Sequence, residues 1–140
     1  MRLSSLADYA VVMLSAAARR GPAVRLNATL LAEETGVPLP TAQKLMGRLA
    51  ASGLLSSARG TGGGFTLARD PAAISLADII EAVEGPIAMT ACVDDQRHDC
   101  GLEGACKVKP HWNLVNDTIR DALGGVSLAT LSASATGASA

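Results

Sequence analysis

Aromatic side chains are nearly absent: Tyr9, Phe65 and Trp112 are the only three in 140 residues. Leu, Val, Ile, Met and Ala must therefore fill any core, which suits closely packed helices. Cysteine is equally scarce, and Cys92, Cys100 and Cys106 all fall in one glycine- and aspartate-rich stretch. That odd count, in a chain that is 49% hydrophobic and long enough to build a core, excludes a disulfide scaffold. Long apolar runs are missing too, since no segment reaches the roughly 18 residues of a membrane span. The run Tyr9 to Ala18 is bordered by Asp8. Leu3, Leu6, Ala7, Ala10, Met13, Leu14 and Ala17 recur at helical spacing, so a helix with one buried stripe is predicted there rather than a signal peptide. Finally, no Gly-Lys-Ser/Thr follows the glycine-rich stretch Arg59 to Gly64, and no βαβ pattern surrounds it, which excludes a phosphate-cradling nucleotide loop. These absences leave one compact cytoplasmic domain with an appended loop and helix.

What charge there is divides unevenly. Residues 1–70 carry eight Lys/Arg against four Asp/Glu, a balance of +4, and residues 71–140 carry four against nine, a balance of −5. The basic half is the one suited to a polyanion.

Helix signals organise that half. Gly21-Pro22 ends the first helix, with Arg19 and Arg20 at its negative end, and a short extended piece runs from Val24 to Leu26. Asn27 caps a second helix over Ala28 to Thr35, Gly36-Val37-Pro38 makes a tight turn, and Pro40 starts a third helix to about Ser52. Two short strands around a basic glycine-rich tip, Leu54 to Ser57 and Phe65 to Leu67, make a β-wing. The predicted fold is mainly α with a small wing: a winged helix-turn-helix over residues 1–70. Ser75 and Asp78 form a capping box for a helix over Leu76 to Glu84 that Gly85-Pro86 stops, and the cysteine loop spans about 87–109. Pro110 fits the first turn of a long helix to about Leu123, with Trp112, Val115, Ile119 and Ala122 as its apolar face. Residues 71–131 thus hold a helix, the cysteine loop and the long helix, and the small polar residues 132–140 read as a disordered tail.

Two regions carry chemistry. On the third helix Ala42, Leu45, Met46 and Leu49 form the inward face, so Thr41, Lys44 and Arg48 project outward with Gln43 at the flank. These side chains suit groove reading: Arg and Lys pair with guanine or phosphate, Gln with adenine, and Thr with several bases. Arg59 at the wing tip, beside Gly60, is placed for the minor groove or a phosphate, because glycine lets the backbone come close. In the second region, three thiols flanked by Asp94, Asp95, Arg97, His98, Asp99 and Glu103 would not form a core. Thiolates are the soft donors that zinc and iron–sulfur clusters take.

With these residues in view, the chain resembles the IscR and NsrR family of winged-helix iron–sulfur regulators, most like the branch that regulates SUF-system cluster assembly. The matching pieces are Met1-Arg2-Leu3 with Asp8-Tyr9-Ala10-Val11, Leu45 to Leu49 with Gly53-Leu54, the wing Arg59 to Leu67, Ile80 to Gly85, the three cysteines and Trp112. The resemblance covers about residues 1–131. It implies a homodimer crossed by the long C-terminal helices, a roughly palindromic DNA operator, and one two-iron or four-iron cluster per protomer held by Cys92, Cys100 and Cys106. Two features depart from the pattern. Seven residues separate Cys92 from Cys100 where five are usual, and Lys109 stands where IscR has a histidine ligand. The fourth ligand is open among Asp8, which NsrR-type proteins supply across the dimer, His98, His111 and an exogenous or other ligand.

The resulting expectation is a transcriptional regulator, a repressor of cluster-assembly genes whose operator affinity follows the cluster. Its alternatives are a winged-helix regulator with a structural zinc, and one whose cluster senses nitric oxide or redox state. A thiol enzyme would need a base oriented by a third group, and neither His98 nor His111 sits in such an arrangement.

Overall fold

The computed structural model describes residues 3–21, 24–58, 63–88 and 109–137. Its elements are α1 (Ser5–Arg20), α2 (Ala28–Thr35), α3 (Leu39–Ala51), β1 (Leu55–Ala58), β2 (Gly64–Leu67), a 3-10 turn (Pro71–Ala73), α4 (Leu76–Glu84), α5 (Lys109–Gly124) and α6 (Leu128–Gly137). Local chemistry sets most boundaries. The Ser4 hydroxyl accepts the Ala7 N–H at 3.1 Å and opens α1, and Asn27 Oδ1 accepts the Leu30 N–H at 2.7 Å and opens α2. Gly36, in the left-handed region at φ 83°, closes α2, and α3 begins one residue before Pro40. The predicted capping box is present at α4: Ser75 Oγ accepts the Asp78 N–H, and Asp78 Oδ2 accepts the Ser75 N–H, each at 3.0 Å.

Helix α1 is the centre of the packing, with α2, α3, α4 and α6 all against it. Ala7, Ala10, Ala16 and Ala17 are fully buried along it, together with Met13 and Leu14. Small side chains there let neighbouring helices come close, and Leu31, Leu45, Met46, Leu49, Ile74 and Ile79 fill the space between them. Of the predicted stripe, Ala7, Ala10, Met13, Leu14 and Ala17 are buried, Leu6 is partly so and Leu3 is exposed. Ser15 and Ala16 are buried as well, because α1 is covered on more than one side.

The wing is an antiparallel pair with Leu55 opposite Leu67 and Ala58 opposite Gly64. It is docked on the body by a bridge in which Leu26 and Phe65 exchange both backbone hydrogen bonds at 2.7 Å. The short extended piece before α2 therefore meets the two-stranded wing through one bridge residue.

The C-terminal part carries more helix than composition predicts. Residues 132–140 read as a disordered tail, whereas helix α6 covers Leu128–Gly137 and 138–140 lie outside the described residues. Leu128 is fully buried, the Leu128 N–H donates to Ile74 O at 2.7 Å, and Val126 O accepts the Leu76 N–H at 2.8 Å. Ser127 Oγ accepts the Thr130 N–H, so a serine cap and one deep leucine start a helix that a count of small residues misses. On α5 the predicted apolar face is only partly covered by the chain itself: Trp112 and Ile119 are half-buried, and Val115 and Ala122 are exposed. Beside it Asn116 is buried, so the side of α5 turned to the body is Trp112, Asn116, Ile119 and Leu123.

Gly64 offers a test of wing docking. Its φ is 152°, and an added Cβ would lie 2.6 Å from the Leu26 carbonyl oxygen, a backbone atom held by the bridge. Gly64→Ala should destabilise the protein by about 1–3 kcal/mol, read as a lower urea midpoint.

Candidate nucleic-acid interface and cysteine region

Helix α3 follows the left-handed turn at Gly36 and turns Ala42, Leu45, Met46 and Leu49 into the core, as its sequence predicts. The opposite face exposes Pro40, Gln43, Lys44 and Gly47, positions spaced by three and four residues. Thr41 is half-buried at the edge of this face. Gly47 stands mid-helix, and a Cβ there would meet nothing within 4 Å, so packing within the chain does not require it. A mid-helix glycine costs about 0.5–1 kcal/mol relative to alanine. The missing side chain leaves a flat strip beside Lys44.

Arg48 does not project fully outward as its spacing predicts. It is half-buried, and its Nη1 donates to the Val83 carbonyl at 2.9 Å. That carbonyl lies in the last turn of α4, where helix carbonyls lack intrahelical donors and a cation is favoured. The reason lies in helix packing: α4 lies against α3 and presents its C-terminal end to the Arg48 guanidinium. Arg59 and Gly60 lie outside the described residues, as do Cys92, His98, Cys100 and Cys106.

The described residues on either side of the cysteines are joined by a polar clamp. After Gly85 the chain turns away from α4, and the Ile87 N–H donates to Glu81 Oε2 at 3.2 Å. The Ile87 carbonyl accepts Asn116 Nδ2 at 2.9 Å, and Arg120 Nη2 pairs with Glu81 Oε1 at 3.1 Å. The segment leading to the cysteines is thereby tied to both α4 and α5. Glu81 belongs to the matching piece Ile80 to Gly85, but neither Asn116 nor Arg120 stands out in the sequence. The available signal is Asn116 itself, four residues after Trp112, since a polar residue on an inward stripe requires a partner.

Two candidate fourth ligands are described. Asp8 is exposed in the first turn of α1, and His111 is exposed in the first turn of α5. Among the described residues no three His, Cys, Asp or Glu side chains are grouped to hold a metal ion, and no helix is long and apolar enough to cross a membrane.

Comparison with known proteins brings these regions together. Residues 3–134 match the family model Rrf2, described as iron-dependent transcriptional regulator. The HTH-type transcriptional regulator IscR of Xenorhabdus nematophila is 34% identical over 134 residues, covering 94% of this chain and 79% of the relative. IscR of Escherichia coli is 31% identical over 133 residues, covering 94% and 80%. Among solved structures, T. potens IscR superposes with a TM-score of 0.70 at 26% identity, covering 96% of this chain and 88% of the other. CymR, the global cysteine regulator of B. subtilis, has the same fold with a TM-score of 0.71 at 23% identity, over 95% and 97% of the two chains.

The clamp makes a direct prediction. Asn116→Ala removes the donor to the Ile87 carbonyl, which should cost about 1–3 kcal/mol of stability and speed amide exchange at Ile87. Chemical denaturation and exchange mass spectrometry would measure both effects.

Proposed function

Because this chain belongs to the Rrf2 family of iron-dependent transcriptional regulators, we propose that it is a homodimeric repressor of iron–sulfur assembly genes, binding a roughly palindromic operator under control of a cluster. The observation that carries the DNA-binding part is the outer face of α3, where Gln43, Lys44 and Gly47 stand exposed behind a glycine turn. In this reading Gln43 and Lys44 meet base edges in the major groove, Thr41 contacts from the rim, and the flat strip at Gly47 admits the DNA backbone. Arg59 and Gly60 take the wing tip to a phosphate or the minor groove.

The second copy is expected on α5. Leu114 is 65% exposed and Val115 39%, an apolar surface on a helix whose other side already packs on α4. Pairing along α5 buries it and sets two α3 helices at one or more duplex turns.

Cys92, Cys100 and Cys106 are the proposed cluster ligands, three soft thiolates in a segment whose entry is clamped through Ile87. When bound, an iron–sulfur cluster supplies a link among these thiolates whose presence or charge reports cluster status. Asp8, exposed on α1, is the proposed fourth ligand, supplied across the dimer. Lys109 carries an ammonium with no lone pair to offer a metal, and His98, His111 or another ligand are the alternatives that variants distinguish. Function in the cytoplasm, where thiols stay reduced, belongs to the same proposal.

Anaerobic purification tests the cofactor: a brown dimer with visible thiolate-to-iron absorption is expected, and a colourless protein holding stoichiometric zinc would overturn the sensor. Cys100→Ala should lose the colour and remain a folded dimer. For DNA, Lys44→Ala should weaken operator binding by about 1–3 kcal/mol in titrations at fixed salt. Gly47→Ala should raise thermal stability slightly through helix propensity and yet lower operator affinity. Unchanged affinity in both variants would show that α3 is not the reading element.

A further inference from the structure

The last turn of α4 is bonded to three parts of the protein. Arg48 from α3 donates to the Val83 carbonyl at 2.9 Å. The backbone N–H of Ser4, at the start of α1, donates to Glu84 Oε1 at 3.3 Å. Glu81 holds the Ile87 N–H at 3.2 Å with one oxygen and Arg120 at 3.1 Å with the other. One helical turn therefore touches the reading helix, the start of the central helix and the chain that leads into the cysteines.

The Arg48 contact holds the guanidinium at the end of α4. To reach a base, the guanidinium would have to leave a helix C-terminus that attracts it and leave the Val83 carbonyl without this donor. Lys44, one turn earlier on α3, is exposed and carries no such tie. Carboxylate and guanidinium bonds at both sides of the α4 turn are directional, so displacement of Ile87 bears on Glu81 and hence on Val83 and Arg48.

We infer that Arg48 is a positioning residue that fixes α3 against the last turn of α4, and that the Glu81, Ile87 and Arg120 clamp feeds the state of the following segment into α3 through it. This rests on the reading of α3 as the DNA-binding helix, and it adds the residue through which control reaches that helix. Conformational control requires differential contacts in two states, and a bond between two elements is where such a difference can act.

Two measurements test the inference. Operator titrations across salt concentration would compare wild type, Arg48→Ala, Arg48→Lys and Lys44→Ala. Arg48→Ala should weaken binding about tenfold with an unchanged slope of log affinity against log salt and unchanged base preference. Arg48→Lys should recover part of the loss, because an ammonium can also donate to the Val83 carbonyl. A slope reduced by about one, or preference relaxed at a single base pair, would make Arg48 a DNA contact and overturn the inference. The second measurement is amide exchange on the protein without DNA. Arg120→Ala should speed exchange at Ile87 and at Ser52 and Gly53, the end of α3, whereas in an Arg48→Ala background it should act on Ile87 alone. Equal acceleration of Ser52 and Gly53 in both backgrounds, or in neither, overturns the route. Should wild type bind no operator, the reading of α3 fails, and exchange still decides the connection through Arg48.

Discussion

Close approach of neighbouring helices to α1 is the constraint on which the rest of the structure depends. A chain with three aromatic residues cannot fill wide gaps with large rings. It instead lines α1 with alanines and packs four helices around it, with leucine and methionine closing the spaces. Such a core is sensitive to volume, because an added methylene at a tight site displaces a helix and does not merely fill a void. The orientation of α3, which determines what it can present to DNA, is inherited from this packing through Leu45, Met46 and Leu49.

The outer face of α3 follows from that orientation. Positions 40, 43, 44 and 47 are left in solvent because 42, 45, 46 and 49 are held inside. The wing is tied to the body by the Leu26–Phe65 bridge. Elsewhere, α4 and α5 are joined by Glu81, Asn116 and Arg120 around Ile87. The last turn of α4 lies between the two regions, bonded to each, which is why its contacts matter more than those of a mid-helix turn.

Much of this was legible before the fold was known. The caps at Asn27 and at Ser75 with Asp78, the glycine stops at Gly36 and Gly85, and the inward face of α3 all appear where the residues place them. Membership in the regulator family was legible as well, from the wing, the first-helix match and the cysteine trio. Three features were not. The inward face of α5 depends on Asn116 finding a carbonyl across the interface, and α6 depends on one leucine entering a pocket built by distant residues. Arg48 looked like its exposed neighbour Lys44, because a basic residue at that spacing gives no sign of a helix end packed beside it.

The dividing line is sequence separation. Caps and turns are hydrogen bonds between residues three or four apart, such as Asn27 to Leu30, so residue identity alone determined where helices begin and end and which face of α3 is apolar. The partners of Arg48 and Asn116 lie 35 and 29 residues away. No local pattern encodes those pairings, since they exist only once packing around α1 has brought α3, α4 and α5 together. Tertiary structure alone therefore decided that one basic residue of α3 faces solvent while the other holds the end of α4.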